Sequence, residues 1–381
     1  MQRWRKRCLW SLSLVLLYGL ARMLMLKLAA SYTTMGLAQA LRIGLTAIAA
    51  PAIAIEGVLW IHTGVGLPHL AVLFLVFLVY VTVADLLRKA PPDSKGIKLT
   101  RRAFLASGGA GLAVAAYGAG YEREHLTFSH RDLPLVDLPP SLEGRRLVLL
   151  SDLHRGPLVS MDYLDEVIHK VNELRPDLVL LPGDFISKSP DYYPDVAEIL
   201  SGLRPRIASL ATLGNHDHWE GADLARQALQ QAGVLLLDNS NIHLDHRGEL
   251  TLEATRGLCL AGVDDLWEGQ PDVARALTGV APDVPRILLS HNPDLAEEEG
   301  LSGHRVDLQV SGHTHGGQIV LPGIGPVATG SRYGLKYVAG AVNGPGWPVY
   351  ITRGIGTSML PARLGSPPEI VVFDLRCSRL A

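Results

Sequence analysis

The feature that most constrains this chain is a recurrence. In its C-terminal two thirds, short apolar runs break off into aspartate, histidine, asparagine and glycine: "RRLVLLSDLH", "PDLVLLPGDF", "PRILLSHNPD" and "VDLQVSGHTH". An apolar run without polar alternation is what a strand buried on both faces requires. "LCLAGVDD", "PVYITRG" and "EIVVFDL" read as further strands. Between them, "MDYLDEVIHKVNEL" places Leu164, Val167, Ile168 and Val171 on one helical face, and "LARQALQQAG" ends on Gly233 as a helix does. Strands alternating with helices predict an α/β domain of about 250 residues. In open α/β sheets the carboxyl ends of strands are where ligand-binding groups gather.

The polar residues fall at those ends. "SDLH" supplies Asp152 and His154, "GDF" supplies Asp184, and "GNHDHW" supplies Asn215 and His216. "SHNPD" adds His291, and "GHTHGG" adds His313 and His315. Residues two apart in an extended segment point the same way, so Asp152 with His154, and His313 with His315, can reach one centre or two adjacent ones. Carboxylate, carboxamide and imidazole without thiolate suit Mn, Fe or Zn in a two-ion site better than a closed structural zinc. Cys8, Cys259 and Cys377 are too few and too scattered for a disulfide framework or a thiolate site. Gly183, Gly214, Gly312, Gly316 and Gly317 allow tight turns beside such ions. Asp217 is read as either a hydrogen-bond partner of a ligating histidine or a loop cap. Arg155, Arg353 and Arg363 meet substrate oxygens or serve packing, Asp264 and Asp265 organise a loop rather than ligate, and Trp219 and Trp347 are expected to be buried, the alternative being that they line a mouth for an apolar or lipid substrate.

The first third is different. "CLWSLSLVLLYGLARMLMLKLAA", "IGLTAIAAPAIAIEGVLWIH" and "HLAVLFLVFLVYVTVADLL" have about the length a spanning helix needs, although Arg22, Lys27 and Glu56 interrupt the first two. "TRRAFL", Thr100 to Leu105, resembles a twin-arginine export signal and precedes a weakly apolar stretch. Arg101 and Arg102 in the cytoplasm send the following chain across the membrane. The basic "RWRKR" start has the same preference, so three full spans conflict with charge and one run is interfacial or re-entrant. The expectation is a membrane region over 1–121, with three to four apolar helices, and a globular domain over 122–381 held outside the cytoplasm at the cell membrane. A formal net charge of −2 offers no bulk basic field for nucleic acid.

The order Asp-x-His, Gly-Asp, Gly-Asn-His-Asp, His and Gly-His-x-His resembles the calcineurin-like metallophosphoesterase superfamily. "SGHTHGGQI" and "RGIGTSMLPARLGSPPEI" are similar to its bacterial membrane-anchored or twin-arginine-exported branch. The resemblance covers about Leu147 to Leu375. It implies a four-layer αββα sandwich, here preceded by an N-terminal helical transmembrane region. Carried over by motif, Asp152, His154 and His315 hold one metal ion, Asn215, His291 and His313 the other, and Asp184 bridges. His216 protonates the leaving oxygen or binds the phosphoryl group. The implied activity is hydrolysis of phosphate esters, with lipid or envelope precursors among the candidate substrates, by a metal-bridging hydroxide. The alternatives are a UDP-linked lipid A precursor pyrophosphatase with a cytoplasmic site, or a non-catalytic scaffold on the same fold. The protein phosphatase branch has Asp and Arg after its Gly-Asp; "GDFISKSP" has Ser187 and Lys188 instead, which leaves the partner that orients His216 open.

Overall fold

The continuous apolar runs do become strands buried on both faces. The computed structural model describes residues 113–253, 257–298 and 303–378. The membrane segments expected before residue 113 lie outside them, and among the described residues no helix is long and apolar enough to cross a membrane. One mixed sheet contains β1 (Thr127–Val136), β2 (Arg146–Leu149), β3 (Leu178–Pro182), β4 (Ala208–Thr212), β5 (Leu235–Leu236) and β15 (Glu369–Ser378), ordered β1-β15-β2-β3-β4-β5. The second contains β6 (Ser240–Asp245), β7 (Leu250–Thr251), β8 (Gly257–Gly262), β9 (Arg286–Leu289), β10 (Leu308–Ser311), β13 (Gly340–Asn343) and β14 (Pro348–Ile351). Its order is β13-β14-β10-β9-β8-β6-β7. The strands β2 to β5 run parallel, as do β8, β9, β10 and β14.

The period of two sorts each strand between layers. Leu147, Leu149, Leu178, Leu180 and Leu210 meet Leu258, Leu260, Ile287, Leu289 and Val310 in a core between the sheets. The alternate residues Val148, Val179, Leu181 and Ala211 face helices on the other side. Those helices are α1 (Met161–Glu173), α2 (Tyr193–Ser201) and α3 (Asn215–Gln231). The expected stripe Leu164, Val167, Ile168 and Val171 is buried, and Ser160 caps α1 by accepting the Tyr163 N–H. Behind the second sheet, Ala261, Leu288, Val349 and Ile351 pack against short helical turns, including Pro293–Glu297 and Gly334–Tyr337. Truncating one of these inter-sheet leucines to alanine costs about 2–5 kcal/mol.

Several elements differ from the sequence reading, which did not include β4, β6 or α2, and two of the differences have a clear physical reason. The helix around "LARQALQQAG" starts earlier, at Asn215, because Gly214 in extended conformation serves as its N-cap and Asp217 accepts the Gly214 N–H; Gly221, at φ 121°, breaks it internally. The alternating polar residues of "TFSHRDLPLV" conceal β1, which gains its pairing from β15 at the far end of the chain.

Candidate metal centre

All eight candidate residues stand where parallel strands end. Asp152 and His154 follow β2, Asp184 follows β3, Asn215 and His216 follow β4, His291 follows β9, and His313 and His315 follow β10. Backbone bonds hold these exits in register: Asp152 N–H to Gly183 O, His154 N–H to Asp184 O, and Gly312 N–H to His291 O. Asp152, His154, Asp184, His313 and His315 all have positive φ, between 47° and 71°. That conformation costs a non-glycine residue on the order of 1–3 kcal/mol and clusters at functional sites. A Cβ on Gly312 would fall on the Asp152 carboxylate and the Ser151 hydroxyl, which is why glycine precedes His313.

The side chains converge. His154 Nε2 lies 3.0 Å from His315 Nε2 and 3.4 Å from Asp184 Oδ2, while His315 Nε2 lies 3.5 Å from Asp152 Oδ1. On the other side His291 Nε2 lies 3.3 Å from Asp184 Oδ2 and 3.1 Å from His313 Nδ1. Asp184 therefore stands between two histidine pairs, and it also accepts the His216 N–H at 2.9 Å. Asp152, His154 and His315, and likewise Asp152, Asp184 and His291, form groups close enough to hold a cation.

Ring chemistry supports that fit. His291 Nδ1 is 2.8 Å from Pro182 O and His313 Nε2 is 3.0 Å from Gly330 O; a carbonyl only accepts, so both nitrogens carry their protons there. The two remaining nitrogens face each other at 3.1 Å beside a carboxylate, an arrangement that calls for a positive charge between them. Asn215 is buried and its Oδ1 has no hydrogen-bond partner, a further acceptor suited to a cation. Burial drives His154 and His315 well below the usual imidazole range and His313 down to about 3, so all three are neutral, as ligands must be. Burial also opposes charge on His291, but Asp184 and then Asp152 outweigh it and lift this ring to about 10. A single proton on His291 thus takes the role a cation would fill.

Several surrounding residues act differently from one another. Asp217 is a loop clamp: its carboxylate accepts the N–H groups of Asp184, Phe185 and Gly214. Asp264 binds His218 at 2.7 Å and accepts Asp265 and Gln270 N–H groups, so it organises a loop as expected. Arg155 pairs with Asp195 and stacks on Tyr192, a packing role. Arg353 donates to Pro367 O and Thr127. Trp347 is buried with its indole N–H on Gln309. Trp219 contradicts the expected burial: it is half exposed, its ring 4.7 Å from that of His216. It follows the first turn of α3, which throws it outward beside the site. No hydrogen-bond partner orients His216 Nδ1; the ring is held edge-on between Trp219 and His154.

Sequence reasoning missed Trp267, and it named Ser187 and Arg363 without placing either against a histidine of the site. Ser187 Oγ meets His154 Nδ1 at 2.6 Å, Trp267 stands edge-on to His313 at 4.3 Å, and the fully buried Arg363 reaches His315 Nδ1 at 3.3 Å. Position three after Asp184 was a usable signal for Ser187. Nothing local announces Trp267 or the reach of Arg363 to His315.

Residues 145–317 match the calcineurin-like phosphoesterase family. The chain is 33% identical over 290 residues to the uncharacterized metallophosphoesterase YkuE of Bacillus subtilis, covering 73% of this chain and 98% of that protein. It is 31% identical over 289 residues to the phosphodiesterase YaeI of Escherichia coli, covering 73% and 99%. It is 36% identical over 255 residues to a transmembrane protein with metallophosphoesterase domain of Danio rerio, covering 64% of this chain and 56% of that protein.

Proposed function

The chain belongs to the calcineurin-like metallophosphoesterase family and is a metal-dependent phosphoester hydrolase, and from that premise we propose that it is a membrane-tethered phosphodiesterase with an extracytoplasmic two-ion site. The observation that carries the site assignment is the pair of ring nitrogens of His291 and His313 that face each other beside Asp184, with the unpartnered Asn215 oxygen. Asp152, His154 and His315 hold one ion, Asn215, His291 and His313 the other, and Asp184 is shared. Bound there, two divalent cations supply Lewis acidity toward phosphoryl oxygens and an activated water. The protein's own part is placement. Carbonyls of Pro182 and Gly330 fix which nitrogens of His291 and His313 are offered. Asp217 locks the loop that presents Asp184, so that carboxylate does not swing when charge arrives. Burial depresses the His216 pKa, which leaves its ring neutral at pH 7 and suits it to contact the phosphoryl group or to pass on a proton held at that ring. Trp219 and Trp267 flank the site for an apolar or planar part of the ester. The diester preference rests on the name of the Escherichia coli relative, and the tether on the apolar runs before residue 113.

The test uses the full chain, stripped of metal and refilled with Mn(II) or Zn(II), on bis-p-nitrophenyl phosphate and p-nitrophenyl phosphate. Metal-dependent turnover of the diester, lost in Asp184→Asn and His216→Ala, is the expected result. Stoichiometric metal uptake without turnover of either ester would overturn the phosphodiesterase assignment.

A further inference from the structure

An apolar rim lies directly beside the proposed site. Three residues after His315, Gln318 donates its amide to Leu360 O and Ala362 O and accepts the Ser358 N–H, tying the segment after the site to the closing loop. Val320 N–H to Leu364 O and Leu364 N–H to Gln318 O complete the junction. The hairpin of β11 (Val320–Leu321) and β12 (Gly325–Pro326) then projects Ile324 and Val327, 79% and 68% exposed, and the closing loop projects Met359 at 77%. Leu360 is also exposed. Arg363 N–H bonds Gly118 O, which joins this loop to the helical stretch over 113–120. There Val114, Tyr117 and Tyr121, spaced i, i+3, i+7, are exposed along one face.

Side chains this large and apolar, gathered on hydrogen-bonded neighbours, mark a contact surface rather than chance exposure. The chain itself indicates what covers it: before the helical stretch, the sequence carries three apolar runs of membrane-spanning length, the last ending at Leu87. We infer that Ile324, Val327, Met359 and Leu360 seat on a lipid surface, so that the domain meets the bilayer rim-first and the substrate is a phosphoester of an amphiphile presented at that surface. This inference rests on the tethered hydrolase reading and specifies its substrate class. Apolar residues at the tips of loops are suited to insertion into the boundary between headgroups and acyl chains, where their burial supplies affinity without any specific headgroup contact.

The experiment places an environment-sensitive fluorophore on Ile324→Cys, Met359→Cys or, as an exposed control just after β7, Leu252→Cys. Each variant is made in the full chain with Cys8→Ser and Cys377→Ser and reconstituted in phosphatidylglycerol–phosphatidylcholine vesicles. Labels at 324 and 359 should be quenched by nitroxide-bearing lipid and shielded from iodide, with the control showing the reverse. Iodide access at 324 and 359 equal to the control overturns the inference. Shielding from iodide without lipid quenching also overturns it, because the cover is then protein. In a second arm, Ile324→Ser with Met359→Ser should lower turnover of a vesicle-embedded phosphodiester roughly tenfold and leave bis-p-nitrophenyl phosphate turnover unchanged. An equal loss on both esters counts against rim docking. Vesicle flotation and the soluble ester report separately on tethering and hydrolysis, so failure of either is distinguishable from failure of the rim.

Discussion

The two halves of the metal centre are built from similar residues but are held differently. In the half formed by His291 and His313, each ring donates one N–H to a backbone carbonyl, so the backbone decides which nitrogen faces the site. In the half formed by His154 and His315, the outer nitrogens face a serine hydroxyl and a guanidinium. A hydroxyl turns to suit either tautomer. A guanidinium only donates, so Arg363 favours the His315 tautomer with its proton on Nε2, the nitrogen that faces His154 and Asp152. In the carbonyl-pinned half the nitrogens that face the site are fixed and binding needs only the loss of one proton from His291, while the other half must also change a tautomer or move a side chain to receive a cation. Outer partners of ligating histidines set affinity by about 10–100-fold, so the halves should fill in sequence.

The largest effect belongs to the residue both halves share. Asp184→Asn should cut diester turnover by roughly a thousandfold or more, since one of the oxygens that serve both ions becomes an amide nitrogen. It retains the bond from His216 N–H but removes the charge that keeps His291 protonated, so a modest drop in the thermal midpoint of the metal-free protein is expected. A large stability loss would mean that Asp184 is structural first.

The comparison itself is broken or kept by a two-step metal titration. Calorimetry with Mn(II) should resolve a tight and a weaker step separated by roughly tenfold or more. His291→Ala should remove the tight step and His154→Ala the weak one; the opposite assignment would reverse the account of tautomer control. Ser187→Ala should weaken only the second step, again by roughly tenfold. The sign with pH follows from His291. Its metal-free ring is held up at about 10 once the carboxylates outweigh burial, so it is protonated at pH 7 and must release that proton to bind. Affinity at the tight step should therefore rise about tenfold per pH unit between pH 6 and 9. Runs in buffers of different ionisation enthalpy should report about one proton released.

How much of this was visible in the sequence follows the same division. Asp152, Asp184, His291 and His313 were legible because each sits at the end of an apolar run, and a strand that is buried on both faces leaves a signature that survives without context; Asn215 follows β4, a strand the sequence reading did not include. Asp217 and Asp264 were legible as loop-forming residues, because short carboxylates among glycines cap backbone N–H groups. What holds the ligands was not legible. Pro182 O and Gly330 O act through the backbone, which no side-chain pattern encodes, and Arg363 reaches His315 only because β15 brings the chain's end beside β2. Helix α3 was read too short because "NHDHW" is helical only once Gly214 and Asp217 cap it. Trp219 was misplaced for the same reason, since its exposure is set by that first turn.

The smallest expected effect concerns the support of the carbonyl-pinned half. Asp264 and Asp265 order the loop that brings Trp267 against His313. Burial works against the Asp264 charge, but hydrogen bonds from His218, Gln270 and Asp265 prevail and hold its carboxyl at about 2, below the unfolded value. Its contribution is thus complete above about pH 4 and fades as pH falls through 2. His218 is raised by the same contact, so its contribution is complete below about pH 6.5 and fades as pH climbs through its folded value. Both are present together between those limits, and Asp264→Asn should cost about 1 kcal/mol there, or about 2–4 °C in thermal midpoint. Scans from pH 2.5 to 9 should show the wild-type advantage greatest near pH 5 and shrinking on both sides. A flat difference would assign the loss to packing, and the tight metal step should then be unaffected by the ion pair.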